Sequence, residues 1–168
     1  DTVLMRYWDN NDPGDTFLTD TIRAIPQPTS SSGTVPRFSR IGGSIPPELN
    51  DQDQNLDADL AETVTVVIRN NFTGETEAIE INEVGNNGSL FKSDSVPVSG
   101  MVGNQGDDNG VLYGQTGDTY QMRYTDPNDA SDTLITDTGQ IIPEPTSSSG
   151  TVPNQVIIGD SVSPKVTD

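Results

Sequence analysis

The sequence predicts an all-β fold, a Greek-key β-sandwich, and three observations carry that prediction. Short runs of alternating apolar and polar residues recur along the chain, turn-forming clusters separate them, and no stretch spaces its apolar residues at a helical period. Strands are predicted near Phe38–Ser44, Glu62–Arg69, Glu75–Asn82, Leu90–Val98, Gly110–Tyr113, Asp118–Tyr124 and Asp132–Ile142. Val64, Val66 and Ile68 alternate with Thr63, Thr65 and Val67, as a half-buried strand requires. Ile79 and Ile81 alternate with Ala78, Glu80 and Asn82, and Tyr120, Met122 and Tyr124 with Thr119, Gln121 and Arg123. These eight apolar residues form the expected core. Turn chemistry separates the runs at Asn70-Asn71-Phe72-Thr73-Gly74, at Gly85-Asn86-Asn87-Gly88 and from Gly103 to Gly110. About seven short strands within roughly 110 residues fit an immunoglobulin-like sandwich. The competing state is disorder, since acidic residues outnumber basic ones 26 to 8; the strand alternation argues against it.

The chain repeats itself. Asp15–Thr21 returns as Asp132–Thr138, Pro28–Pro36 returns unchanged as Pro145–Pro153, and Met5-Arg6-Tyr7 returns as Met122-Arg123-Tyr124, all displaced by 117 residues. Residues 1–51 and 118–168 align without a gap, with more than half of the positions identical. Such regularity is the mark of a tandem array whose units contact mainly their neighbours. The expected organisation is the closing strands and linker of one repeat at 1–34, a complete repeat at 35–142, and the linker and first strand of the next at 143–168. Ile25–Pro36 and Ile141–Pro153, rich in Pro, Ser and Gly, read as semi-flexible joints; an ordered turn between two sheets is the other reading. Neither incomplete end can bury a core alone. Strands Asp1–Tyr7 and Asp15–Ile25 are therefore expected to pack against neighbouring repeats or other copies of the chain, with strand addition as one route.

A net charge of −18 and a pI near 4.1 make nucleic acid and anionic membranes poor partners and divalent cations good ones. No apolar run approaches the length of a membrane span, so direct membrane insertion is not expected. The absence of His and Cys removes disulfides, thiol nucleophiles and His/Cys zinc sites.

The sharpest chemical signal lies in residues 51–62. Asp51, Asp53, Asn55, Asp57, Asp59 and Glu62 occupy positions 1, 3, 5, 7, 9 and 12 of a twelve-residue stretch, the ligand spacing of a calcium-binding EF-hand loop. Position 6, where that loop needs Gly, is Leu56, and strands rather than helices flank it. A β-sandwich edge loop holding calcium is therefore expected in place of a true EF-hand. The bland reading is a solvated acidic loop; against it, five carboxylates repel one another beside a buried strand unless a cation is present. Weaker candidates are Asp9 and Asp12 with their counterparts Asp126 and Asp129, in predicted hairpin tips where turn residues capping their own backbone explain the composition equally well. If the loops at one end converge, Asp126 or Asp129 would complete the shell. Asn104, Asp107, Asp108 and Asn109 form a third acidic loop.

Several segments together resemble the tandem immunoglobulin-like or cadherin-like repeats of very large bacterial surface proteins. They are Asp57 with Glu62–Val66, Thr73–Glu77, Glu83–Gly88, Gly117–Thr119 and Tyr124–Pro127. The resemblance implies an extracellular or cell-surface location and a calcium-rigidified stalk, sheath or adhesin, with the metal at Asp51, Asp53, Asn55, Asp57, Asp59 and Glu62. The function expected is thus a structural, non-enzymatic repeat module. The alternative is a carbohydrate- or protein-binding module displayed on such a stalk, with a glycan or surface protein as partner. Trp8, the obvious aromatic platform, has Thr125 as its counterpart, which favours local packing or a surface position over a site present in every repeat. Lys92 is the one lysine available for a covalent cross-link, since Lys165 aligns with Glu48; a side chain extending from a strand edge is the simpler reading.

Overall fold

A computed structural model describes all residues except 1, 4–5, 13, 15, 19–21, 24–25, 93–94, 147–148, 152–162 and 168. The described strands begin with β1 (Thr2–Val3), β2 (Arg6–Trp8), β3 (Thr16–Leu18) and β4 (Ile22–Arg23). β5 (Ser32–Thr34), β6 (Phe38–Arg40), β7 (Ser44–Ile45), β8 (Glu48–Asn50), β9 (Thr63–Asn70) and β10 (Thr76–Glu83) follow. Next come β11 (Leu90–Lys92), β12 (Val96–Ser99), β13 (Leu112–Tyr113), β14 (Thr119–Thr125), β15 (Thr133–Ile135) and β16 (Gly139–Ile142), and finally β17 (Ser149–Thr151) and β18 (Lys165–Thr167). Two short 3-10 turns, Gln52–Gln54 and Val102–Asn104, are the only helical elements among the described residues.

The fold is all-β, and a curled, mixed sheet dominates it. Its order is β5-β8-β11-β10-β9-β14-β16-β6, with β15 also on β14. The β9–β10 hairpin is the spine, with Ile68 opposite Glu77 and Val64 opposite Ile81. β14 extends it through Met122 opposite Ile68. A smaller sheet, β13-β12-β7, covers the inner face. Between the two sheets lies one core. Val64, Val66, Ile68, Ile81, Tyr120, Met122 and Tyr124 are buried there, with Ile79 partly buried against them, as the alternation predicts. Ile45, Val96, Val98 and Leu112 face them from the smaller sheet.

Three predicted strands are divided. Phe38–Ser44 becomes β6 and β7 because the chain changes sheets at Gly42, whose φ of 79° suits glycine. Leu90–Val98 likewise serves the large sheet as β11 and the small one as β12. Asp132–Ile142 splits at Thr136, whose Oγ1 accepts from the Met122 N–H at 3.0 Å in place of a ladder carbonyl. The Ser/Pro-rich segment expected to be a joint contributes a strand: β5 pairs with β8, Gly33 opposite Leu49. A Cβ at Gly33 would meet the Met122 Cε at 2.5 Å and the Glu48 carbonyl oxygen at 2.7 Å. Glycine there lets the strand lie flat on the core edge.

The chain ends repeat the pairing of the centre. Arg6 pairs with Leu18 as Arg123 pairs with Ile135, and Ser32 with Asn50 as Ser149 with Thr167. What the strands at residues 1–25 pack against lies outside the described residues. One cross-strand pair is exchanged between copies: Tyr120 opposes Gly139, whereas Val3 opposes Ile22. Tyr120 is fully buried and donates to the Pro36 carbonyl at 2.7 Å, and a Cβ at Gly139 would meet its ring at 2.4 Å. The two copies thus carry, at this pair, a large side chain opposite none and two medium side chains. Gly139→Ile alone should therefore cost about 1–3 kcal/mol by overpacking, and Tyr120→Val alone about 2–4 kcal/mol by leaving a cavity. In urea denaturation the double variant should be less destabilised than the sum by about 1 kcal/mol or more; strict additivity would show that the two sites do not share one packing volume.

Candidate metal centre

The β9 and β14 strands run antiparallel, so the end of β14 and the loop before β9 meet at one end of the fold. Asp51 follows β8, and its N–H donates to the Ser89 carbonyl at 2.7 Å. Asp53 sits in the 3-10 turn Gln52–Gln54, and Asp126 directly follows β14. Each of the three offers a carboxylate oxygen within 4.8 Å of the others, and all are buried, at 0 %, 0 % and 1 % exposure. The cluster could hold a metal ion.

Its neighbours orient it. The Tyr124 hydroxyl donates to Asp51 Oδ2 at 2.8 Å. Gln54 Nε2 bridges the other two, donating to Asp126 Oδ1 at 2.7 Å and to Asp53 Oδ1 at 3.3 Å. The Thr29 N–H reaches Asp53 Oδ2 at 2.8 Å, and the Asn128 N–H reaches Asp126 Oδ1 at 2.6 Å. Asp51 Oδ1 and Asp126 Oδ2 are buried without a hydrogen-bond partner. No basic side chain makes an ion pair with the cluster among the described residues. Orphaned carboxylate oxygens held this close are a donor set for a hard cation.

The electrostatics follow from burial. Desolvation pushes Asp51 up to about 7, helped by the Asp53 carboxyl beside it, while the Tyr124 hydrogen bond pulls the other way. Asp126 is raised by burial and by the Asp53 charge. Burial works on Asp53 too, but the neighbouring Asp51 carboxyl, which takes up the proton in its place, and hydrogen bonds from Thr29 and Gln54 outweigh it and hold Asp53 below the usual carboxylate range. Tyr124 is held protonated far above its ordinary range by burial and by Asp51.

The rest of the predicted loop turns elsewhere. Asn55 donates to Asn87 Oδ1 at 2.7 Å. Asp57 Oδ1 accepts from the Asp59 N–H, and both side chains are exposed. Glu62 Oε1 caps the N–H groups of Leu56 and Asp57, and the Glu83 carboxylate beside it, after burial, raises its pKa. Asp129 caps the Ser131 N–H and hydroxyl. Asp9 and Asp12 cap Asn11 and Gly14, the bonds that Asp126 and Asp129 make to Asn128 and Ser131. In the third acidic loop, Asp107 and Asp108 accept from the N–H groups of Thr76 and Ala78 and so cover the edge of β10. Asp168, the counterpart of Asp51, lies outside the described residues. Gln54, Tyr124 and Thr29 were not singled out as site residues from the sequence. Tyr124 carried a signal, because a tyrosine in a core strand needs a partner for its hydroxyl.

No protein-family model and no curated protein matches the chain. No helix among the described residues is long and apolar enough to cross a membrane.

A pH dependence follows. Between pH about 4 and 7 the folded state holds the Asp51 proton that the unfolded state has released, so stability falls as pH rises through this window. Asp126, also raised, adds to the slope; Asp53, lowered, contributes with the opposite sign below the ordinary aspartate value of 3.8. Thermal melts in chelator should therefore give a lower melting temperature at pH 7.5 than at pH 5.5, and Asp51→Asn should flatten the slope. An unchanged slope in Asp51→Asn would assign the effect to net charge alone.

Proposed function

We propose that this chain is part of an extracellular surface fibre or adhesin stalk, built from immunoglobulin-like repeats of 117 residues, in which calcium stiffens each unit. The observation that carries this reading is the buried carboxylate cluster with unpartnered oxygens inside a unit whose sequence and strand registers recur along the chain. Calcium is the cation of choice for an oxygen-only donor set that three carboxylates and water can complete to six or more ligands.

The mechanism is mechanical. The Thr29 N–H docks on Asp53, and two residues on, the Ser31 N–H docks on Asp132 Oδ2 at 2.7 Å. The segment arriving from the preceding repeat is thus fastened to the loops that would bind the ion. A cation drawn between Asp51, Asp53 and Asp126 removes their repulsion and fixes the connector with them. Without it the same loops repel and the joint loosens. Faithful repetition suits a stalk, in which every unit performs the same task, better than a catalytic or ligand-specific module.

Calcium titration followed by calorimetry should give a dissociation constant on the order of 10⁻⁴–10⁻³ M, the range of extracellular modules. At ten times that concentration the fold should gain about 1.4 kcal/mol per site. Asp53→Ala with Asp126→Ala should abolish both, whereas Asp57→Ala with Asp59→Ala should abolish neither. A melting temperature indifferent to calcium and chelator would refute the calcium reading.

A further inference from the structure

We propose that the two ends of the repeat are complementary docking faces, so that the downstream end of one repeat seats on the upstream end of the next through an apolar contact. This rests on the tandem-array reading. The upstream end carries the acidic cluster and the docked Thr29, and the chain leaves from the other end, at Ile142. There the Ile41 N–H bonds the Ile142 carbonyl, and the Gly117 N–H the Ile141 carbonyl. Glu144, just beyond β16, borders a cavity of about 400 Å³ with Ile41, Met101 and Gln115.

Five of the exposed apolar side chains lie at these two ends, while Trp8, Phe38 and Ile135 are exposed elsewhere. Met101 and Val102 are 73 % and 67 % exposed, and Phe72, in the turn whose Asn71 N–H bonds the Thr119 carbonyl, is 82 % exposed. At the opposite end Leu60 and Val84 are 62 % and 53 % exposed, on loops joined by the Asn86 side chain and the Asp59 carbonyl. Between the ends, the exposed outward positions of β9, β10 and β14 are small or polar, Thr63, Thr65, Ala78, Glu80, Arg123 and Thr125, with Val67 half-buried among them.

Chain length makes the following repeat the occupant. Thr146 is the counterpart of Thr29, the residue docked beside the cluster. Only Pro143, Glu144 and Pro145 separate it from Ile142. Four residue steps span about 14 Å at most, and a Pro-X-Pro segment favours an extended, semi-rigid path. A repeat of this size has a radius of gyration of about 13 Å, so a tether this short keeps its upstream face close to the end that Met101 and Phe72 project from. The contact is head-to-tail and propagates along the array.

The test uses the chain with a second copy of residues 52–168 joined after Asp168, so that it holds two complete repeats. The chain has no cysteine, so introduced pairs report proximity without background. Met101→Cys in the first repeat with Leu60→Cys in the second should form an intramolecular disulfide on mild oxidation, at least tenfold faster than Met101→Cys with Thr65→Cys on the side face. Equal rates for the two pairs would overturn the docking. Independently, Met101→Glu with Val102→Glu should lower the melting temperature of the two-repeat chain towards that of the 168-residue chain while leaving the latter unchanged; an undiminished two-repeat melting temperature would also overturn it. Run in calcium and in chelator, the experiment separates the readings. Loss of the cross-link with a calcium-dependent melt refutes docking alone, and a cross-link with a calcium-independent melt refutes the cation alone.

Discussion

Three carboxylates buried within 4.8 Å of one another set the terms for the rest of the fold. Two unit charges about 4 Å apart repel by roughly 4 kcal/mol at an effective dielectric constant of about 20. The protein meets this load with neutral donors. Tyr124 and Gln54 each give a hydrogen bond, backbone N–H groups from Thr29 and Asn128 give two more, and Asp51 retains its proton towards neutrality. Two oxygens are still left without partners. A metal ion held among the three carboxylates could meet what the neutral donors leave unmet.

The same contacts run from the core to the connector. Met122 and Ile68 sit opposite each other at the centre of the sheet, and Tyr124, two residues along β14, buries its ring in that core and holds Asp51 with its hydroxyl. Asp53 then holds Thr29, and Gly33 presses β5 onto Met122. The Thr29–Thr34 segment and the core are thus parts of one structure. Relaxing the cluster would be felt at both.

The long strands were legible because period-two alternation exposes Thr63, Thr65 and Glu80 while it buries Val64, Val66 and Ile81. β5 was hidden: its Ser-Gly-Thr sequence has no apolar face, and only the close approach of Met122 makes glycine necessary. At the candidate site, the structure brings Asp51 and Asp53 of the predicted loop together and turns Asn55, Asp57, Asp59 and Glu62 elsewhere. An EF-hand wrap needs glycine at its centre to turn the chain, and Leu56 stands there. The chain forms a 3-10 turn instead, and Glu62 folds back on Leu56 and Asp57 and meets Glu83 across the β9–β10 hairpin. Asp126 is distant in sequence from Asp51, and strand register brings it in. The repetition pointed to its loop without ranking it above Asp129.

The most direct measurement of the central claim is tyrosine-sensitised terbium luminescence, because Tyr124 touches Asp51 and a lanthanide favours the same oxygen donors as calcium. Excitation of tyrosine should give terbium emission that calcium quenches by competition. Asp126→Asn should remove it, and Tyr124→Phe should reduce it strongly. Absence of sensitised emission, or emission equal in the parent chain and in Asp126→Asn, would contradict the account.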